Sequence, residues 1–346
     1  MIRIGFFDAK PYDRRWFDKL HGGDTEIHYF EGKLSPATVK LAQGMDAVCV
    51  FVNDEVDGEV LHALHGYGIR LVALRCAGFN NVDFKSAHGH VNVVRVPGYS
   101  PYAVAEHAAA LMLALNRKIH RSFNRTREHN FTISGLEGFD LHGKTCGVIG
   151  TGKIGQAFLA ICRGFGMELL AYDTFPNPAL GATYGSMDEL LTRSDILSLH
   201  CPLTPETRHL IGAESLSKMK PTAMLINTSR GALVDSRALL EALQKGRLGS
   251  AGLDVYEEES DLFFEDKSLE LMDDKVLSLL LTLPNVLVTS HQAFLTDEAL
   301  EAIAKTTLES VRAFFLGQPL ANEICYYCQQ GGQTADCHRS SAGRCF

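Results

Sequence analysis

The chain has 346 residues, 46% hydrophobic and 21% charged, with a formal net charge of −8. That length supports two domains with sizeable cores. The acidic balance excludes a general affinity for nucleic acid or an anionic membrane surface, and no apolar stretch reaches the length needed to span a membrane.

Met1 runs straight into a strand-like segment, IRIGFF, in place of a charged leader with an apolar core, so the expected location is the cytoplasm. Residues 2–8, 26–30, 46–52 and 69–74 read as strands, with helix-period segments near 11–20, 35–42 and 57–66. Such alternation predicts a parallel sheet with helices on both faces. This first unit lacks a glycine fingerprint and is not expected to hold a dinucleotide. The strand at 69–74 leads into CAGFNNVD, where Gly78, Asn80 and Asn81 favour a turn with free backbone amides. A loop of that kind at a strand's carboxyl end can hold an anion, although most such loops are only turns.

Pro97 and Gly98 then break the pattern, and Pro101 after Ser100 suits a first helical position. The helix expected over about 100–123 is apolar round most of its circumference, which predicts a subunit or domain interface. Glu106 and His107 within it read as a buried structural pair. The basic run from Arg117 to Arg127 reads as a solvated helix face.

Residues 145–173 combine an apolar strand, a turn with Gly150, Gly152 and Gly155 in G-x-G-x-x-G spacing, a helix opened by Lys153 and Ile154, and a second strand ending on Asp173. This is the setting of a dinucleotide site. Gly150 allows the sharp turn, Gly152 lets a pyrophosphate approach the backbone, and Gly155 lets helix and strand pack closely. The helix start offers unpaired amides and a positive dipole end. Asp173 would accept hydrogen bonds from the ribose hydroxyls. The next residues, Thr174, Phe175 and Pro176, include no Arg for a 2′-phosphate, so the expected cofactor is NAD and not NADP. A helix at 187–193 and strands at 195–200, 222–228, 250–255 and 285–290 continue the unit, with a helix at 235–245. After His291 an amphipathic helix is expected to return the chain to the first domain.

These readings give two doubly wound α/β parallel-sheet domains. A Rossmann NAD-binding domain, 100–297, is inserted in a discontinuous flavodoxin-like substrate domain, 1–99 plus 298–324. Two crossings near 98–101 and 292–298 would form a hinge, with the substrate in the cleft.

Arg230, Glu259 and His291 stand just past strands of the nucleotide domain, where loops face the ligand crevice. They suit reduction of a 2-keto acid. Arg230 can hold the carboxylate with a bidentate fork. His291 can donate the proton that the carbonyl oxygen needs. Glu259, hydrogen-bonded to the imidazole, would favour its charged form. By residue type alone this is one assignment among several, since the chain has 14 histidines.

The runs GTGKIG, NTSRGALVD (227–235), GLDVYEEE (252–259) and SHQAF (290–294) occur in that order. On these motifs the chain resembles the D-isomer-specific 2-hydroxyacid dehydrogenase family over nearly its whole length, to about residue 322. The resemblance implies an NAD-dependent dehydrogenase with Arg230 binding substrate, Glu259 supporting the histidine, and His291 as acid/base. It implies that the amides of Ala77 and Gly78 take the substrate carboxylate together with Arg230. It places Cys201, Pro202, Thr228, Ser229 and Asp254 against the cofactor, Asp254 by the nicotinamide carboxamide. Within the family, VPGYSP, DLFFEDKS and HQAFLT resemble the bacterial fermentative D-lactate dehydrogenases. That implies reduction of pyruvate, with Tyr99 and Phe294 closing over a small methyl group and Phe51 lining the same pocket. The alternatives are a dehydrogenase of another 2-keto acid, such as hydroxypyruvate or phenylpyruvate, and an NAD-sensing corepressor-like protein on the same fold. A homodimer, or a tetramer built from one, is expected through the 100–123 region.

Five of the nine cysteines (Cys49, Cys76, Cys146, Cys162 and Cys201) lie in apolar patterns and read as small buried residues. The others fall in the tail, 325–346, which departs from the family: Cys325, Cys328, Cys337 followed by His338, and Cys345. C-x-x-C followed by C-H admits a zinc reading. The segment is rich in Gly, Ser and Gln and shows no core of its own, so the expectation is a flexible appendage, or a non-homologous end to the reading frame, without metal.

Overall fold

The computed structural model describes residues 1–259, 262–328, 338 and 342–346. Met1–Ser100 with Thr296–Phe346 form one compact unit, and Pro101–Leu295 form another. In chain order the strands are β1 (Ile2–Phe6), β2 (Thr25–Tyr29), β3 (Ala47–Val50), β4 (Leu71–Leu74), β5 (Asn92–Arg95), β6 (Thr145–Ile149), β7 (Glu168–Tyr172), β8 (Thr183–Tyr184), β9 (Ile196–Leu199), β10 (Met224–Asn227), β11 (Ser250–Leu253), β12 (Val286–Val288) and β13 (Glu323–Ile324).

The first unit's sheet has the order β13-β5-β4-β3-β1-β2. All its pairings are parallel except β13 on β5, which is antiparallel. Every residue of β3 (AVCV) and β4 (LVAL) is buried, the unbroken apolar signature of parallel strands covered on both faces. The helix Asp297–Phe315 belongs to this unit and buries Leu300, Ile303, Ala304, Leu308 and Val311 on one face. Its polar side reaches the helix Pro11–Leu20 and the turn beyond it through Arg15 to Asp297 (3.0 Å) and Arg312 to Asp24 (2.9 Å).

The second unit carries a seven-stranded parallel sheet ordered β12-β11-β10-β9-β6-β7-β8. The order reverses between β6 and β9, the switch point at which a doubly wound sheet opens its ligand crevice. The two doubly wound parallel-sheet units expected from the sequence are therefore present.

Some expected elements differ. Residues 35–42 form only a short 3₁₀ turn, Val39–Ala42. The Thr38 hydroxyl donates to the Lys33 carbonyl (2.6 Å) and accepts from the Ser35 amide (2.9 Å), so side chains satisfy a backbone that a helix would otherwise pair. The single helix expected over 100–123 is two, Pro101–Arg117 and Ile119–Arg127, broken at Lys118 with φ 51°. The break is pinned from outside: the Asn116 side chain brackets the Phe139 backbone, donating to its carbonyl at 2.8 Å and accepting from its amide at 2.9 Å. Most of the apolar surface of Pro101–Arg117 is spent inside its own unit, where Ala105, Ala108, Leu111, Met112 and Leu115 join the core under β6 and β10. Large apolar side chains stay exposed in the following segment, at Ile119, Phe123, Phe131 and Ile133. Glu106 and His107 do not pair: Glu106 is exposed, and His107 turns to Thr289 and Asp254. Strands β5 and β13 and the helix Lys275–Thr282 were not anticipated; β13, two residues long, is defined only by its partner.

The tail's described residues are not uniformly exposed, although His338 and Ala342 face solvent. Cys325 and Cys345 are buried and form a small cluster with Tyr327, Cys328 and Phe346. Cys337 lies outside the described residues.

Candidate active site

The glycine turn sits at the switch point of the second sheet. Gly150 has φ +92°, and a Cβ on it would lie 2.6 Å from the Cys201 amide nitrogen, so the ends of β6 and β9 meet without room for a side chain. A Cβ on Gly155 would lie 2.0 Å from the Gly150 carbonyl oxygen, while one on Gly152 would meet nothing within 4 Å. The helix Lys153–Gly164 therefore begins against the turn with open space over Gly152. Among the described residues the amides of Lys153, Ile154 and Gly155 have no acceptor. Such amides at a helix start are a ready anion site.

Asp173, at the tip of β7, is tied to the same turn. Its Oδ2 accepts from the Thr151 amide (2.6 Å) and hydroxyl (2.9 Å), and its Oδ1 from the Phe175 amide (2.8 Å). Burial pushes this carboxyl up, but the amides of Phe175 and Thr151 outweigh it and hold it below the ordinary carboxylate range. The group that would receive the ribose is thus a carboxylate through the physiological range.

From the switch point a chain of contacts leads to the histidine. The Ser229 hydroxyl donates to the Cys201 carbonyl (2.7 Å). The buried Asn227 side chain closes the turn after β10, donating to the Arg230 carbonyl (2.9 Å) and accepting from the Ser229 amide (3.1 Å). Gly231 presses on the next segment so closely that a Cβ would fall 2.0 Å from the Tyr256 carbonyl. That close approach explains the glycine after Arg230. Arg230 itself is half-buried, one guanidinium nitrogen donating to the Ser229 carbonyl (2.7 Å). The Tyr256 amide donates to Glu259 Oε2 (2.9 Å), and His291 Nδ1 lies 2.8 Å from Glu259 Oε1. A carboxylate only accepts, so Nδ1 carries its proton toward Glu259 and Nε2 is left to give or take the second proton.

His291 has φ +52°, a conformation uncommon for a residue with a side chain. Asp254 holds it there. The Asp254 carbonyl accepts from the His291 amide (2.7 Å), and its wholly buried carboxylate accepts from the amides of Gln292 (2.9 Å) and Ala293 (2.8 Å) and the Thr289 hydroxyl (2.6 Å). His107 Nε2 stands 3.3 Å from the same carboxylate. Burial pushes the Asp254 carboxyl up, but the bonds from His107, Thr289 and Ala293 win and hold it below the usual range. Thr289 and His107 were not recognised in sequence as part of this arrangement, nor was Phe264, whose ring centroid lies 5.8 Å from that of His291. No motif links these residues; only the fold brings them together.

Of the other expected cofactor contacts, Thr228 is buried with a hydroxyl that has no partner among the described residues, Pro202 is exposed, and Lys153 is exposed at the helix start. Phe294 is buried in this unit. In the first unit, Ala77 and Gly78 are half-buried after β4, and their amides have no acceptor among the described residues. Tyr99 is half-buried, and Phe51 is buried beneath the Arg75 guanidinium, 4.8 Å from its ring centroid.

The family described as "D-isomer specific 2-hydroxyacid dehydrogenase, NAD binding domain" matches residues 109–293. The chain is 48% identical to the D-lactate dehydrogenase of Escherichia coli over 93% of this chain and all of that one. It is also 48% identical to a 2-hydroxyacid dehydrogenase homolog of Haemophilus influenzae, over 93% and 99%. This chain belongs to the D-isomer-specific 2-hydroxyacid dehydrogenase family. Among solved structures it resembles the apo form of the Escherichia coli D-lactate dehydrogenase, with a TM-score of 0.87 and 46% identity over 93% of this chain and all of that one. It resembles a structure titled as the pyruvate reductase of Chlamydomonas reinhardtii with a TM-score of 0.89 and 45% identity, over 93% and 98%.

The family member is an NAD-dependent dehydrogenase of 2-hydroxy acids. The second unit's own features fit that cofactor: open space over Gly152, free amides at the helix start, an ionised Asp173, and the orphaned Thr228 hydroxyl at the end of β10. Among the described residues no helix is long and apolar enough to cross a membrane.

Proposed function

We propose that this dehydrogenase reduces pyruvate to D-lactate. The observation that carries the reading is the His291–Glu259 pair, with Glu259 also held by the Tyr256 amide. When bound, NADH would supply the hydride for the carbonyl carbon. His291 delivers a proton from Nε2 to the carbonyl oxygen and recovers it in the reverse direction. Glu259 steadies the imidazolium through Nδ1. Arg230 holds the substrate carboxylate by its guanidinium fork, and the free amides of Ala77 and Gly78 serve the same carboxylate. Gly150, Gly152, Gly155, Lys153, Ile154, Asp173, Cys201, Pro202, Thr228 and Ser229 serve the cofactor. Asp254 fixes the turn that carries His291. Tyr99 and Phe51 of the first unit and Phe294 of the second are the residues assigned to the substrate methyl group.

Relatives named as D-lactate dehydrogenases in bacteria and in Curvularia clavata support pyruvate as the substrate. The exposed run of Ile119, Phe123, Phe131 and Ile133 supports a homodimer or a tetramer built from one. The absence of a membrane-spanning helix among the described residues is consistent with a cytoplasmic enzyme. The test is NADH oxidation with a panel of 2-keto acids, followed by chiral analysis of the product. Pyruvate preferred, with D-lactate formed, supports the reading; a clear preference for hydroxypyruvate or phenylpyruvate, or an L product, overturns it.

A further inference from the structure

The tail beyond β13 gathers three thiols at one point. Cys325, Cys328 and Cys345 place their sulfurs within 4.8 Å of one another, with Cys325–Cys328 at 3.5 Å and Cys328–Cys345 at 3.6 Å. Four sulfurs around a zinc ion at about 2.3 Å each stand about 3.8 Å apart. These two gaps are close to that spacing.

The cluster is built and not a chance meeting of chain ends. Cys325 and Cys328 come from one turn directly after β13, whereas Cys345 is 17 residues beyond Cys328. Backbone and side-chain contacts that involve no sulfur bring it back. The Cys345 amide donates to Glu323 Oε2 (2.5 Å), and the other oxygen of this buried carboxylate accepts from Asn92 at the start of β5 (2.5 Å). The Leu320 amide donates to the Gly343 carbonyl (2.8 Å), and Arg344 donates to the carbonyls of Gln318 (3.1 Å) and Phe314 (2.8 Å). Tyr327 and Phe346 pack on the His88 ring at 5.0 and 5.1 Å and wall the thiols with apolar surface. Cys325 and Cys345 are buried while Cys328 is only half-buried, which leaves a path to solvent for an ion.

We propose that Cys325, Cys328 and Cys345 form a structural metal site for a zinc-class divalent cation that clips the tail to the β13–β5 edge of the first unit. Soft thiolates in tetrahedral spacing select zinc over the hard cations that prefer oxygen. On binding, the three S–H protons leave to solvent and three sulfur–metal bonds form, with no change of oxidation state. The first unit then gains a cross-link between its last strand and the chain's end without a disulfide. The site lies apart from the glycine turn and His291 in sequence and in unit, and it does not depend on the substrate assigned above.

The full-length protein, purified without chelator and under mild reduction, is assayed for metal by elemental mass spectrometry, before and after titration with an organomercurial. About one zinc per chain, released in step with mercurial added, is expected. Cys325→Ser, Cys328→Ser and Cys345→Ser are each expected to lose the metal. Because a serine variant could fold poorly, the unmodified protein is also loaded with Co²⁺ after zinc removal, and thiolate-to-cobalt charge-transfer absorption is expected. Any of four results overturns the proposal: no metal retained after reconstitution with Zn²⁺ under reduction; metal retained in all three variants; cobalt bound without thiolate absorption; or a mass lower by two hydrogens, showing a disulfide among these cysteines.

Discussion

Asp254→Asn isolates the device that holds His291 in place. The two side chains have the same shape, so the change removes charge and reverses one hydrogen-bonding atom. The carboxylate accepts from Thr289 and Gln292 on Oδ1 and from Ala293 on Oδ2, and His107 Nε2 stands 3.3 Å from Oδ1. An asparagine that keeps its oxygen toward Thr289 and Gln292 aims its NH₂ at the Ala293 amide, where 2.8 Å now separates two donors. The opposite rotamer strands Thr289 and Gln292. One buried amide left unsatisfied costs about 1–3 kcal/mol, and bonds to a charged acceptor fall from about 1.5–3 toward about 1 kcal/mol each. A loss of about 3 kcal/mol lowers the melting temperature of a unit this size by about 6–12 °C. The depressed carboxyl of Asp254 implies a pH signature as well. Its stabilisation is present above the unfolded carboxylate range and is lost as pH falls through its lower folded value, so the native protein should lose part of its stability on acidification and the Asn variant should lack that part. The turn carrying His291 would loosen, so kcat should fall at least about tenfold, the effect of about 1.4 kcal/mol on the barrier. Calorimetry across pH and steady-state kinetics provide the assay. An unchanged melting temperature with weakened NADH binding would refute the reasoning, because Asp254 would then act on the cofactor and not on the histidine turn.

Three further outcomes are expected. His291→Ala should abolish turnover and leave NADH binding, measured by fluorescence titration, nearly intact; loss of NADH binding would mean that the histidine serves the cofactor. Arg230→Lys should raise KM for the keto acid strongly, since a point charge does not reproduce a bidentate fork; unchanged kinetics would reject the carboxylate role. Arg75 is fully buried, ion-paired to Asp13 at 3.4 Å, donating to the Asp8 carbonyl at 2.7 Å and stacked over Phe6 and Phe51. Arg75→Met leaves buried carboxylates without that cation and should cost about 3–5 kcal/mol in urea unfolding, with part regained in Arg75→Met/Asp13→Asn; a loss below about 1 kcal/mol would show that the cluster is held by other means.

Local chemistry that repeats in a fixed order was the most legible part of the sequence. The strand–glycine–helix run at 145–173 and the alternating strands and helices specify parallel sheets, because backbone pairing and apolar periodicity are local properties of the chain. Arg230, Glu259 and His291 stood out through the ordered motifs that resemble the family, since residue type alone left them one assignment among several. Elements decided by particular side-chain contacts, distant or local, left no such trace. Lys118 breaks a helix that periodicity continues, because Asn116 is held by Phe139. Residues 35–42 remain a 3₁₀ turn because Ser35 and Thr38 satisfy the local backbone themselves.

What the sequence determined by itself was therefore the class of fold, the family and its cofactor, and it offered Arg230, Glu259 and His291 as the side chains proposed to react. Tertiary structure alone decided how those side chains are held. Thr289 and His107 reach Asp254 from segments 35 and 147 positions away, and the resulting desolvated network fixes His291 in a left-handed backbone conformation. It decided likewise that Cys345 returns to Cys325 and Cys328, through hydrogen bonds to Glu323 and to the carbonyls of Phe314 and Gln318. Long-range contacts of this kind leave no periodic trace, because each depends on where the rest of the chain has already packed.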